Sequence, residues 1–215
     1  MATRDHTSSR KEHWEAVYLN KPLETAGWYQ PVPEPSLSLI AHLNLPVEAR
    51  IIDIGGGDSL LADHLLGRGY RNLTVLDISE AAIERAQKRL GPLATHVEWL
   101  VSDVLDFEAG PCYDLWHDRA AFHFLTSGEE QAAYLQTAAR ALCPGGNLIV
   151  GTFSDKGPTR CSGLEIQQYS APAMERFFSR EFRPTGFREA EHHTPGGATQ
   201  HYLFGTFIKP VAPSP

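Results

Sequence analysis

The sequence predicts an α/β domain built on a doubly wound, mostly parallel sheet with an antiparallel edge. Three observations predict it. Short apolar, β-branched runs alternate with amphipathic runs between residues 49 and 153. The first of these runs ends in Asp53 and passes straight into Gly55, Gly56 and Gly57. The last third carries two alternating runs joined by the turn Thr-Pro-Gly-Gly at 194–197.

The strand-like runs are ARIIDI (49–54), NLTVLDI (72–78), THVEWLVSD (95–103), YDLWHD (113–118) and GNLIVGTF (146–153). Between them, SLLADHLLGRG (59–69) sets Leu61, Leu65 and Leu66 on one helical face. SEAAIERAQKRLG (79–91) begins on a serine cap and stops at Gly91. EEQAAYLQTAARAL (129–142) is a third helix, ended by Cys-Pro-Gly-Gly. SAPAMERFFSR (170–180) is a fourth, capped by Ser170, and it leads into the hairpin runs 182–193 and 198–208. Ahead of the first strand, residues 14–40 read as a short helix, a loop and a second helix from Ser36, because the prolines after Gln30 prevent one continuous helix. Trp14, Tyr18, Trp28 and Tyr29 are too many aromatics for an idle arm. The arm, residues 1–35, reads as a lid over the ligand or as a hydrophobic clasp on the outside of the sheet, the lid placing Trp28 and Tyr29 at the ligand. The main domain is then 36–210 and the tail 211–215.

Composition narrows the function classes. Among 215 residues, 26 acids outweigh 19 bases, a net charge of −7, which argues against a nucleic-acid partner. The densest cationic cluster, RKEH at 10–13, reads as a solvated arm. No run is apolar enough to span a membrane and no apolar leader is present, so a cytoplasmic protein without membrane contacts is expected, a monomer or weak homodimer. Cys112, Cys143 and Cys161 are few and far apart, which predicts free thiols. His192, His193 and His201 match no compact ligand spacing, so no metal is expected.

The glycine stretch decides the ligand. Asp53 and the glycines stand at the carboxyl end of the first strand, where open α/β sheets bind ligands. A dinucleotide fingerprint needs a third glycine where Leu60 stands, and no Gly-Lys-Ser/Thr follows to make a phosphate loop. A carboxylate there would repel a pyrophosphate and attract a cationic amino group. Asp77, 24 residues on, ends the second strand beside Ile78, where an acid accepts hydrogen bonds from both hydroxyls of a ribose. Asp103 and Val104 end the third, a carboxylate for an exocyclic amine and an apolar face for a purine. An amino acid end, a ribose and an adenine are the parts of S-adenosylmethionine.

The joint pattern IIDIGGG, TVLDIS, VSDV, YDLWHDRAAFHFL and LCPGGNLIV, in that order over roughly residues 36–155, resembles the class I S-adenosylmethionine-dependent methyltransferases. The resemblance implies seven strands in the order 3-2-1-4-5-7-6, with strand 7 antiparallel. It implies that Gly55, Gly56 and Gly57 let the backbone approach the methionine part, that Asp53 organises the amino group, that Asp77 takes the ribose, and that His117 joins the donor side. The exit of the fourth strand faces the transferred methyl. Asp118 and His123 are the candidate bases there, and Arg119, Phe122 and, from the loop 156–170, Cys161 are the candidate substrate contacts. The residues after that strand are similar to the thiopurine, tellurite and halide group, which favours a small-molecule acceptor. The aromatic arm and the CSGL and HHTPGG elements look like methyltransferase-like proteins that modify lysine, the alternative acceptor. An NAD-dependent oxidoreductase and a non-catalytic cofactor-binding module are the readings from other classes.

Overall fold

The structure is a computed structural model that describes residues 3–108, 110 and 112–211, and of residues 3–8 the backbone alone. The tail beyond Val211 lies outside the described residues.

The seven sheet strands are β1 (Arg50–Ile54), β2 (Asn72–Asp77), β3 (Val97–Val101), β4 (Tyr113–Arg119), β5 (Leu142–Phe153), β6 (Arg183–His193) and β7 (Thr199–Ile208). They lie in the order 3-2-1-4-5-7-6; β7 runs antiparallel to both β5 and β6, and the other pairs are parallel. Helices α1 (Thr3–Asn20), α2 (Ser36–His42), α3 (Leu61–Gly67), α4 (Glu80–Leu90), α5 (Gly128–Ala141) and α6 (Ala171–Phe178) cover it. A parallel sheet is buried on both faces, which is why the buried residues of β1 and β2 run consecutively, from Ile51 to Ile54 and from Leu73 to Asp77, rather than in alternation. One face packs Trp116, Phe122, Tyr134 and Phe178, the other Leu37, Ile51, Leu65, Phe153 and Phe204.

The helix signals are placed as read. The hydroxyl of Ser79 accepts from the Ala82 amide at 3.2 Å and that of Ser170 from Ala173 at 3.4 Å, and α4 gives way to Gly91 at a φ of +56°. Two elements are longer than expected. β5 starts at Leu142, not at Gly146, because the Pro-Gly-Gly stretch is drawn against β4 as an irregular edge in which Gly146 has the carbonyl oxygens of Cys143 and Tyr113 about its α-carbon. α1 runs to Asn20 and its Tyr18 is buried against Ala81 and Ala82 of α4.

The free-thiol expectation for Cys112 and Cys143 is overturned: they form a disulfide with 5.0 Å between their α-carbons. Separation along the chain hid this. β4 and β5 are parallel neighbours with Tyr113 opposite Leu142, so the crossover through α5 returns Cys143 to the residue that precedes β4. Among the described residues Cys161 is the free cysteine. No helix among them is long and apolar enough to cross a membrane.

Candidate functional site

A cavity of about 1070 Å³, counted out to its mouth, opens at the carboxyl ends of β1 to β4 under the arm. Parallel strands end together there, so side chains far apart in sequence meet.

The turn after β1 forms the floor. The amides of Gly55 and Gly56 both donate to the Leu76 carbonyl, at 2.7 and 3.3 Å, and are thereby taken from any phosphate. This is why the stretch is no phosphate cradle. What the glycines supply is room: a β-carbon on Gly56 would stand 2.6 Å from Asp53 Oδ2 and 2.9 Å from Val75, and one on Gly55 2.7 Å from Ala121. Gly55 and Gly57 also hold φ values of +61° and +47°. Gly56→Ala is expected to cost about 1–3 kcal/mol through overpacking, read as a melting temperature several degrees lower with donor binding weakened in parallel.

Asp53, Asp77 and Asp103, each nearly buried, stand within two residues of the carboxyl ends of the first three strands, and all three line the cavity. Asp77 Oδ1 accepts from the Ser79 amide at 2.9 Å. Burial raises its carboxyl to about 7 against the pull of that amide, with the charges of Asp58, Asp53 and Glu15 adding to the rise. Asp103 Oδ1 accepts from Leu105, and its Oδ2 pairs with Arg10 of α1 at 3.0 Å; Arg10 also pairs with Glu130 of α5. Asp58, fully buried behind the glycines, faces Arg85 at 3.0 Å, and burial raises its carboxyl too. Trp14, Tyr18 and Trp28 form an aromatic cluster at the roof, Trp28 edge-to-face with the other two, with ring centroids 5.6 to 6.1 Å apart.

The far end is made by later elements. His117 stands beside Asp53 across the β1–β4 pair, its Nδ1 2.7 Å from Asp53 Oδ1 and its Nε2 2.8 Å from the Ser36 hydroxyl. Arg119 donates to the Trp28 carbonyl at 2.6 Å and has no carboxylate partner among the described residues. Cys161, Gln200 and Tyr202 close that end.

Of the sequence candidates, Trp28, Asp53, Gly55, Gly56, Asp77, Ile78, Asp103, Val104, His117, Arg119 and Cys161 line the cavity. Gly57 stands just behind, packed by the Tyr18 hydroxyl, and Tyr29 is not at the wall. Three candidates are corrected. Alternation along β4 sends His117 and Arg119 to the cavity face and Asp118 to the opposite one. There Asp118 accepts from the amides of Ala121 and Phe122 and from the Tyr134 hydroxyl at 2.7 Å. Burial raises it to about 6 against those bonds. Phe122 is wholly buried among Tyr134, Tyr169, Phe177 and Phe178 and reaches no substrate. His123 is also wholly buried, against Phe153, with burial lowering its ring to about 3, and it does not line the cavity. Asp118→Asn is expected to lower the melting temperature by several degrees, from loss of a charge-assisted network worth about 2–3 kcal/mol, while donor affinity measured by calorimetry stays unchanged.

Sequence reading missed Arg10, Ser36, Asp58, Gln200 and Tyr202. Asp58, adjoining the glycines, carried a local signal; the others are brought in by tertiary packing alone. The three histidines near the hairpin do not converge: His192 bonds the Gly27 carbonyl, and no metal-holding cluster exists among the described residues.

Residues 51–146 match the family described as "Methyltransferase domain". A malonyl-[acyl-carrier protein] O-methyltransferase of Anoxybacillus flavithermus is 34% identical over 129 residues, 57% of this chain and 48% of its own. An eEF1A lysine and N-terminal methyltransferase of Mus musculus is 24% identical over 58% of this chain and 18% of its own. The chain thus spans about half or less of the length of the curated relatives it matches. The structure of Burkholderia thailandensis 1,6-didemethyltoxoflavin-N1-methyltransferase, with bound 1,6-didemethyltoxoflavin and S-adenosylhomocysteine, superposes with a TM-score of 0.74 at 20% identity, covering 98% of this chain and 91% of that one. Residues 51–146 thus match a methyltransferase domain, and the sheet order with its antiparallel seventh strand is the fold of that solved methyltransferase structure.

Proposed function

We propose that this protein transfers a methyl group from S-adenosylmethionine to a small-molecule nucleophile. The observation that carries the reading is the continuity of one cavity: three acids at strand ends fill one side, and Arg119, Cys161, Gln200 and Tyr202 the other. The residues present fit the donor. Asp53 is an acceptor for a cationic amino group, Asp77 for a hydroxyl pair, and Asp103 beside Val104 for an exocyclic amine on a flat ring. Bound there, the donor supplies a methyl group already activated on a sulfonium.

The chain's task is alignment and exclusion of water. Trp14, Tyr18 and Trp28 roof the cavity and offer aromatic faces that favour a cation beneath them. Arg119, half-buried and without a carboxylate partner among the described residues, suits an acidic group on the acceptor. A roofed cavity within the domain suits a small acceptor better than a folded protein surface. The malonyl and toxoflavin methyltransferases, whose names give small or carrier-bound acceptors, favour the same reading. Calorimetric titration with S-adenosylhomocysteine should give one site per chain. Labelled donor should then mark a pool of small nucleophiles and leave lysate proteins unmarked. Label confined to lysate proteins would move the reading to the lysine alternative, and NAD binding in place of S-adenosylhomocysteine would sink both.

A further inference from the structure

We infer that Ser36, His117 and Asp53 form a proton-accepting relay in the cavity wall, and that the methyl acceptor is accordingly an N–H or O–H compound rather than a thioether or thiolate. The inference rests on the proposed donor and acceptor reading of the cavity and names the acceptor class within it.

Three separate elements supply the relay: Asp53 from the end of β1, His117 from the adjoining β4, and Ser36 from the first turn of α2. The two contacts of 2.7 and 2.8 Å use both ring nitrogens, on side chains that are all nearly or wholly buried and all line the cavity. A carboxylate only accepts, so Asp53 Oδ1 holds the ring proton on Nδ1. Nε2 is then a lone pair facing the Ser36 hydroxyl. The second oxygen of Asp53 lies beside Gly56, on the donor side, so one carboxylate serves the ring and the donor end together. A clamp joining α2 to the sheet would need only apolar contact. Two polar contacts lining a reaction cavity point to proton movement.

Asp53 faces the His117 ring from β1, and the charges of Asp118 and Arg119 stand on β4 itself. Asp77 on β2 lies beyond Asp53, within range of its charge. On β5 the opposing residue is apolar Ile149, and the Tyr18 hydroxyl of the arm, kept neutral by burial, lines the same cavity. In the step, the acceptor nitrogen or oxygen bonds to the methyl carbon as the carbon–sulfur bond breaks with its electron pair going to sulfur. The acceptor's proton passes to Ser36 Oγ while the serine proton moves to Nε2. His117 leaves the step as an imidazolium against the Asp53 carboxylate, and its proton goes to water after product departs.

Nitrogen-15 spectroscopy of the histidine rings in the full-length protein, saturated with S-adenosylhomocysteine, tests the relay without turnover. Near neutral pH, His117 should be protonated at Nδ1 and bare at Nε2, and Asp53→Asn should abolish that preference. A ring protonated at Nε2 alone overturns the relay. The second arm uses labelled donor with phenylethylamine, 4-hydroxybenzoate and 2-mercaptoethanol. His117→Gln should slow transfer to nitrogen or oxygen by roughly 100-fold, the usual size of a general-base contribution, with recovery at high pH where the acceptor has already lost its proton. Ser36→Ala, a smaller change, should give about a 10-fold loss with the same recovery, and it carries the test where His117→Gln does not fold. Transfer confined to the thiol, or equal losses at every pH, overturns the proposal; where none of the three is methylated, the ring tautomer decides. Failure of S-adenosylhomocysteine to bind would instead strike the donor reading itself.

Discussion

Replacing Asp77 with asparagine is expected to weaken S-adenosylhomocysteine binding by about 10- to 100-fold, the roughly 1–3 kcal/mol scale of charge-assisted hydrogen bonds to a hydroxyl pair. The pH dependence is the sharper signature. Burial raises the Asp77 carboxyl from 3.8 to about 7 in the folded protein, so between those values the native state holds a proton that the unfolded chain has lost. The stability this group contributes is fully present below about pH 4 and is lost as pH rises through about 7. Asparagine resembles the protonated form, so the variant without ligand should melt no earlier than wild type at pH 8. Ribose hydroxyls donate, and they favour the ionised carboxylate. Wild-type affinity should therefore rise as pH passes through about 7, with a proton released on binding below that value, visible as a buffer-dependent calorimetric enthalpy. Asp77→Asn should show neither. An unchanged dissociation constant in a folded variant would remove Asp77 from the ribose.

Deleting residues 1–21 is expected to lose donor binding and to lower the melting temperature together. The sequence reading of the arm as a lid expects the affinity to fall first. In the structure α1 also supports the fold: Glu15 accepts from the Ser79 hydroxyl and from the amides of Glu80 and Ala81, taking the free N-terminal donors of α4, and Tyr18 is buried on the same helix. Loss of that cap and of one buried aromatic is worth about 3–5 kcal/mol, or roughly 10 °C in a domain of this size. The same deletion removes Arg10 from Asp103 and Trp14 and Tyr18 from the cavity roof. Trp28→Ala separates the two roles, since Trp28 lines the cavity and lies outside α1. Its expected result is about a 10-fold weaker donor with the melting temperature changed by no more than a few degrees. Scanning calorimetry with and without S-adenosylhomocysteine reads both quantities. A variant that melts far earlier and binds normally would make the arm a clasp alone.

The parts of this protein legible in its sequence are those written within one short segment. Strand and helix periodicity, the serine caps and the hairpin turn are local, and they led to a doubly wound, mostly parallel sheet with an antiparallel edge; the order of its strands came from the family resemblance of the joined motifs. Asp53, Asp77 and Asp103 were legible for a related reason: each lies at the end of its own strand, and strand ends meet on one edge. Position next to the cavity was harder to read. His117 and Asp118 are neighbours in the chain, and only the pleat of β4 against the sheet sends one to the site and the other to the core; His123, read as a base, is packed against Phe153 for the same want of a local signal. The disulfide, the Arg10 to Asp103 pair and the Ser36 contact were invisible, since each joins residues brought together by a crossover or by an arm folded back across the sheet. The sequence by itself determined the architecture and the acids that stand at the strand ends, because both repeat a pattern along the strands. Tertiary structure alone decided which side chains share the cavity, because that depends on which face of each element meets its neighbour and not on spacing along the chain.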